Sequence, residues 1–348
     1  LSGEIKEKTG LTVIACNRIN SPQIAEELLQ KGDCDFVGAA RPFLADPDFV
    51  NKSRKGILYN RCQACNRGCI ENALKKNDVC CVFNPEAGRE YFLSAKTPPQ
   101  KLLIIGAGPV GLQAAKTASE RGHIVTIITD DSRLGGKLHI ADKAPFKQMF
   151  SKFADYLEHE LRKNNVTILT GVPISEEIIR SEKPDFIIFA SGASPIMPEI
   201  CKESQMPCVS AEQILSESVK CPNQNIVIIG GGSVGLQPKA GKGLGGLKWI
   251  MMKHLKELGV RIVTSAEVSE ISHNKVILTI RGEKAEKEKE EIYADMIVYA
   301  VGYKPNGTLG LRSYLEKENI PYVIIGDAGR TKDLLEGLAD AYITAENI

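Results

Sequence analysis

Short apolar runs separated by longer amphipathic stretches set the pattern of this chain. TVIAC (Thr12–Cys16) predicts a strand, SPQIAEELLQKG a helix, and DFVGAA a second strand ending at Arg41-Pro42. In the helix Ser21 is placed to cap the N-terminus, Pro22 sits in the first turn and Gly32 closes it. Ile24, Ala25, Leu28 and Leu29 form its buried stripe. Strand, helix, strand at this spacing is a βαβ unit and calls for a parallel sheet. Asn60–Phe83 is rich in cysteine with little periodicity, and Ser94–Lys101, with Pro98-Pro99, reads as a linker. From Lys101 the order is KLLIIG (strand), GAGPVGLQAAKTASERG (glycine turn and helix), HIVTIIT (strand) and, further on, DFIIFASG. NIVIIG leads into a second glycine turn at Gly230. A polar, strand-like stretch from Arg261 to Tyr299 follows, and its charge run GEKAEKEKEEI reads as a solvated hairpin tip. DMIVYAVG then repeats the pattern of DFIIFASG, and YVIIGDAG and a helix close the chain. This doubling predicts two related nucleotide-binding modules.

Composition changes this picture little. The 348 residues are 43% hydrophobic and 25% charged, which is ordinary globular usage. Lys+Arg total 44 and Asp+Glu 43, so the net charge of +1 gives no footprint for nucleic acid or anionic lipid. No apolar run approaches the roughly 18 residues that span a membrane. The charged opening LSGEIKEKTG does not read as a signal peptide, so a cytoplasmic location is expected. Cysteine is the unusual count: there are 10, and five of them fall between Cys62 and Cys81. Clustering in a chain without a secretory route points to metal or cluster ligation rather than disulfides.

The cluster has the spacing C-x2-C-x3-C-x11-C: Cys62, Cys65, Cys69 and Cys81. Four thiolates from one loop suit a [4Fe–4S] cluster or a structural zinc ion, though the CNRGC piece lacks the second C-x2-C knuckle of a zinc ribbon. Cys80 adjoins Cys81, so spacing alone leaves the fourth ligand open. The first glycine turn, Gly106, Gly108 and Gly111, follows a strand and opens a helix, the context a dinucleotide fingerprint requires. Gly106 permits the tight turn, Gly108 lets a pyrophosphate approach backbone, and Gly111 lets the helix pack on the strand. Thr129 stands where an acid usually holds ribose hydroxyls, and Asp130 follows it. Asp130 would serve if the strand has already ended there. The second turn is Gly230, Gly232 and Gly235, but GLQPKAGKGLGG with Pro238 forbids a long helix after it, and a plain glycine loop is the competing reading.

Arg18 and Arg41 each follow a predicted parallel strand at its C-terminal end, where doubly wound sheets and barrels place ligands. A guanidinium there is suited to grip phosphate bidentately, although for either residue alone a surface ion pair is the favoured reading. The five histidines show no metal spacing and read as surface or core residues. Trp249 reads as helix core, and the scattered cysteines, Cys221 among them, as structural.

Taken in order, CNRINSPQIAEELL, DFVGAARPFLADPDFVNK, the cysteine loop ending CVFNP and the GAGPVG turn carry a resemblance over essentially the whole chain. The sequence resembles the flavin oxidoreductases that group 2,4-dienoyl-CoA reductase, 2-enoate reductase and the clostridial bile-acid and steroid enone reductases, relatives of old yellow enzyme. The resemblance implies an α/β architecture: the C-terminal part of an FMN-binding TIM barrel (1–60), an iron–sulfur loop and linker (61–97), an FAD module (98–210 and 300–348) and an NAD(P)H module (211–299). It implies that Arg18, Ala40 and Arg41 hold FMN phosphate. It makes Cys62, Cys65, Cys69 and Cys81 the [4Fe–4S] ligands, with Cys81 preferred for its spacing from Asn-Pro. It assigns Gly106, Gly108 and Gly111 to the FAD pyrophosphate, and Gly135-Gly136 to a second FAD-facing turn with Lys137 where the family often has Gln. Val172 would meet adenine through its backbone, and Asp327 would lie near the ribityl chain. Thr129 at the ribose-acid position is a departure.

Two further departures stand out. A full barrel needs about 250 residues, and the stretch before the cysteine loop supplies only the last two βα units. Between Gln237 and Pro238 a stretch of roughly 30–45 residues is missing from the module's strand–helix–strand crossover. The sequence is therefore expected to be part of a longer polypeptide. The implied function is reduction of the C=C bond of an enone or enoyl substrate, with electrons passing from NADH or NADPH through FAD, the cluster and FMN. Amine oxidation, as in the related trimethylamine dehydrogenase, and an electron-transfer subunit are the alternatives. A small-molecule substrate is the expected partner, with no nucleic acid and no membrane, and with room for a homo-oligomer.

Overall fold

The computed structural model describes residues 1–91, 95, 97–144, 149–220, 225–230, 253–281 and 287–348. They form two compact units, Leu1–Gly192 with Pro305–Ile348, and Ala193–Lys304. Both are mixed α/β.

The first unit is built on a five-stranded sheet, all parallel, in the spatial order Tyr322–Ile324, Phe186–Phe189, Lys101–Ile105, Ile124–Ile128, Thr167–Leu169. Nearly continuous Ile and Leu in the central strands reflect burial on both faces, as a parallel sheet requires. One face carries the helices Pro109–Glu120 and Leu334–Glu346, whose alanines (Ala114, Ala118, Ala341, Ala345) are fully buried and allow close packing. Ile105, Ile128 and Phe189 on the other face pack against Ile179 and Leu315. Each of these buried apolar side chains contributes about 1.5–3 kcal/mol. The central strand and the helix after it form the Rossmann-like turn expected from GAGPVG.

The N-terminal βαβ also forms. Ile14–Ala15 pairs in parallel with Phe36–Val37. The connecting helix is Pro22–Gln30, capped by Ser21, whose hydroxyl accepts from the Ile24 N–H at 3.4 Å. Ile24, Ala25 and Leu28 pack on Ala15, Ile19 and Cys34, but Leu29, expected in the stripe, is exposed. The stripe is narrower because only one small sheet lies beneath the helix.

In the second unit Met296–Tyr299 lies between Cys208–Ser210 and Ile226–Ile229, all parallel. A separate antiparallel meander joins Ala266–Ile271, Lys275–Arg281 and Lys287–Tyr293. Much of the charge run thus belongs to a strand rather than a tip: alternation sends Ile292 toward the core while the adjacent Glu291 faces outward. Gly232, Gly235, Pro238, Trp249 and Cys221 lie outside the described residues.

Candidate functional site

Gly106 takes φ 105°, and a Cβ there would stand 2.4 Å from the Ala190 carbonyl oxygen, so only glycine fits. At Gly111 a Cβ would stand 1.9 Å from the Gly106 carbonyl oxygen, which fixes how closely the helix Pro109–Glu120 approaches the strand. Gly108 precedes that helix with extended backbone and open space where a side chain would be. A second turn closes on it: Gly135 donates its N–H to the Ala107 carbonyl at 2.8 Å, and a Cβ on Gly136 would stand 3.2 Å from Gly108 Cα. Lys137 follows, half-buried. The result is a glycine-lined crevice at a helix N-terminus, an arrangement that receives an anionic pyrophosphate.

The strand leading to Thr129 ends at Ile128. Thr129 is buried, and its hydroxyl accepts from the Asp131 N–H at 3.2 Å, closing a local turn. Asp130 is exposed just beyond the strand end. Val172 donates its N–H to the Thr129 carbonyl at 3.0 Å, so these two expected contacts are neighbours. Asp327 is half-buried and accepts from the Lys332 N–H at 2.8 Å. Its segment lies on the same helix start, since a Cβ on Gly326 would stand 2.9 Å from Val110 Cγ1. Asp340 steadies it: its carboxylate accepts from the Gly326 N–H and the Lys332 ammonium, each at 2.8 Å. Sequence reading gave no sign of Asp340, which sits in an ordinary amphipathic helix.

In the second unit Gly230 has φ 114°, and a Cβ there would stand 2.4 Å from the Ala300 carbonyl oxygen. This is the Gly106–Ala190 relation over again.

The cysteine loop belongs to the first unit. Cys62, Cys65, Cys69 and Cys81 are all half-buried. Backbone N–H groups face three of the sulfurs: Ala64 toward Cys62, Arg67 toward Cys65, and Phe83 and Asn84 toward Cys81. Burial nonetheless pushes the Cys62 and Cys65 thiols up, and Cys81 to about 12. The charges of neighbouring cysteines add to this, Cys69 and Cys62 acting on Cys65, and Cys65 and Cys62 on Cys81. Cys80 is engaged otherwise. Its sulfur accepts from the Asn72 amide at 3.7 Å and packs over Gly68. Among the described residues no group of three or more His, Cys, Asp or Glu is arranged around a single metal ion. A tetrahedral zinc would need its four sulfurs only about 3.8 Å apart.

Arg41 starts the short helix Arg41–Ala45 and is half-buried. Its guanidinium donates to the side-chain oxygen of Asn66, inside the cysteine loop, and to that of Asn17 at 3.1 Å. The Arg41 charge offsets part of the rise that burial imposes on the Cys62 thiol. Arg18 and Ala40 are exposed, Arg18 in the left-handed region at φ 56°. On its other side the loop is tied by Arg67, which donates to the Asp333 carboxylate at 2.8 Å, at the start of the helix Leu334–Glu346. Asn17 and Asn66 were not singled out by sequence; both take positive φ, a conformation asparagine tolerates but does not announce.

Residues 70–183 and 246–334 match the model of the pyridine nucleotide-disulphide oxidoreductases, and residues 2–60 that of the NADH:flavin oxidoreductase / NADH oxidase family. Bilirubin reductase of Mediterraneibacter gnavus is 31% identical over 98% of this chain and 56% of its own length. NADH oxidase of Thermoanaerobacter brockii is 31% identical over 100% of this chain and 57% of its own. The solved 2-naphthoyl-CoA reductase shares the fold with a TM-score of 0.90 at 23% identity, covering 100% of this chain and 56% of that one. The chain spans about half the length of the curated relatives it matches. Among the described residues no helix is long and apolar enough to cross a membrane.

Proposed function

We infer an NAD(P)H-driven flavin reductase from one premise: this chain belongs to the pyridine nucleotide-disulphide oxidoreductases, in the 2-enoate reductase and old yellow enzyme-like group that joins them to an NADH:flavin oxidoreductase segment. The substrate class is an α,β-unsaturated carbonyl compound, an enoyl thioester, enoate or steroid enone, reduced at its C=C bond. The names of two relatives, a bilirubin reductase and an NADH oxidase, support reduction at NADH's expense.

The observation that carries the reading is how the cysteine loop is tied. Arg41 holds it on one side and Asp333 on the other, within the unit that also contains the Gly106–Gly111 crevice. In this reading Gly106, Gly108, Gly111 and Gly136 would hold an FAD pyrophosphate. Thr129 or Asp130 and Val172 would lie at its adenosine end, with Lys137 and Asp327 toward the flavin. The open backbone at Gly108 fits that group. Arg18, Ala40 and Arg41 would hold the FMN phosphate; Arg41 has N–H groups to spare beyond its two asparagine partners. The strand residues Ile14 and Phe36 are 61% and 60% exposed on a two-stranded sheet too small to stand alone, which supports reading 1–60 as the end of a barrel. Cys62, Cys65, Cys69 and Cys81 would hold a [4Fe–4S] cluster; the backbone N–H groups facing Cys62, Cys65 and Cys81 favour thiolates there against the burial that opposes them, and a cluster's positive iron would supply the rest. Gly230, Gly232 and Gly235 would hold NADH or NADPH. When bound, flavins exchange hydride with nicotinamide and substrate, and a cluster passes single electrons. The chain's own part is to orient these groups and keep them apart: Arg41 neutralises a phosphate, the helix start at Gly108 receives another, and the loop fixes the spacing between them.

Anaerobic spectra of the purified protein test this. NADH or NADPH should bleach flavin bands together with a broad visible absorbance, with iron and acid-labile sulfide both present. Flavin bands alone, or no reduction by either nicotinamide, contradict the assignment.

A further inference from the structure

The peptide between Leu134 and Gly135 is held at both of its polar ends. Its N–H donates to the Ala107 carbonyl at 2.8 Å. Its carbonyl oxygen accepts from His139 Nε2 at 2.7 Å. The other ring nitrogen, Nδ1, stands 3.2 Å from the Ser151 hydroxyl. A carbonyl oxygen only accepts, so Nε2 carries the proton; in the neutral ring Nδ1 then accepts from Ser151. The ring also presses on the turn. A Cβ on Gly135 would stand 2.6 Å from His139 Nε2 and 2.8 Å from Ala154 Cβ, so only glycine fits beneath the ring. Ser151 lies in the helix Phe150–Lys163, and its N–H donates to the Asp142 carboxylate at 3.2 Å.

We propose that His139 is a positioning residue of the dinucleotide crevice: through the Leu134 carbonyl it fixes the Gly135–Gly136 turn against Gly108 and so sets the backbone that receives an FAD pyrophosphate. The proposal rests on reading Gly106–Gly111 as the FAD site. Two consecutive glycines at φ 105° and φ 49° have wide conformational freedom when unrestrained. A turn left to itself pays that ordering entropy when ligand binds, whereas a turn already fixed does not. His139 supplies the fixing bond, and the helix bearing Ser151 supplies the anchor.

The test is FAD affinity of the deflavinated protein, measured by quenching of flavin fluorescence. His139→Leu should bind FAD about 10- to 100-fold more weakly, since a buried carbonyl loses its donor. His139→Gln, whose side-chain amide offers an N–H at a similar reach, should recover most of that loss. Should His139→Leu fail to fold by circular dichroism, Ser151→Ala carries the test with a several-fold weaker affinity. Unchanged affinity in His139→Leu, or in Ser151→Ala where the first variant is unfolded, overturns the proposal, as does His139→Gln failing to recover when His139→Leu folds. A wild-type protein that binds no FAD overturns the site reading and this proposal together; a wild type that binds FAD alongside an unaffected His139→Leu overturns this proposal only.

Discussion

Gly106 lies against Ala190 so closely that a Cβ would stand 2.4 Å from the Ala190 carbonyl oxygen, and Gly230 stands in the same relation to Ala300 at 2.4 Å. The flanking bonds repeat as well: Ala190 donates to Ile105 and Ala300 to Ile229, each at 2.8 Å. The same device thus occurs twice, and on the proposed reading the two copies would serve FAD and NAD(P)H. Gly106→Ala should release FAD, while Gly230→Ala should keep FAD but lose reduction by NAD(P)H. Each should cost at least about 1–3 kcal/mol of stability through its positive φ alone. Flavin content and anaerobic stopped-flow reduction check this; loss of FAD from Gly230→Ala with full retention in Gly106→Ala would reverse the assignment.

Cys81 and Cys80 separate cleanly in environment. Cys81 receives two backbone N–H groups and is the more deeply placed, whereas Cys80 is occupied by Asn72. Cys81→Ser should lose iron and acid-labile sulfide, and Cys80→Ser should retain both. Metal and sulfide analysis of anaerobically prepared variants decides between them.

Arg41 offers a planar fork already oriented by Asn17 and Asn66. Arg41→Ala should lower FMN content several-fold and leave FAD near normal. Arg41→Lys should restore charge but not the fork, giving an intermediate FMN content. Equal loss of both flavins, read by chromatography of released cofactors, would show a general folding defect instead.

His123 is buried, and its Nδ1 accepts from the Gln100 N–H at 3.2 Å. Burial first, and the Arg121 charge second, hold its pKa below the ordinary 6.5. The unfolded chain therefore takes up a proton that the folded protein refuses. That contribution to stability is fully present above pH 6.5 and is lost as pH falls through the folded-state pKa. Urea midpoints at about pH 7.5 and about pH 5 should differ less in His123→Gln, which keeps an acceptor for Gln100 but does not titrate.

Where local chemistry decides structure, the sequence is easily read. GAGPVG and the paired DFIIFASG and DMIVYAVG announce their roles because tight turns demand glycine and buried parallel strands demand continuous apolar runs. Even the leading aspartates act alike: Asp185 accepts from the Lys101 N–H at 2.7 Å and Asp295 from the Asn225 N–H at 2.9 Å. Ser21 as a cap was equally legible. Long-range polar contacts were not. Asn17 and Asn66 meet at Arg41 only because the βαβ and the cysteine loop fold together, and Asp340 reaches Gly326 across a turn. His139 shows neither metal spacing nor a partner in the chain order, so its bond to Leu134 emerges only when the glycine turn is folded. The charge run misled for a related reason: its glutamates Glu290 and Glu291 find Arg261 and Lys275, distant in sequence, only once the strands have paired.

The central claim is tested most directly by anaerobic turnover of the purified holoenzyme. Enoyl-CoA thioesters, free enoates and steroid enones would be offered with NADH and with NADPH, and methylated amines with an artificial electron acceptor. The account predicts nicotinamide oxidation matched one to one by saturation of a C=C bond in at least one unsaturated substrate. No turnover of any of them, together with reduction of the protein by a methylated amine, would contradict it.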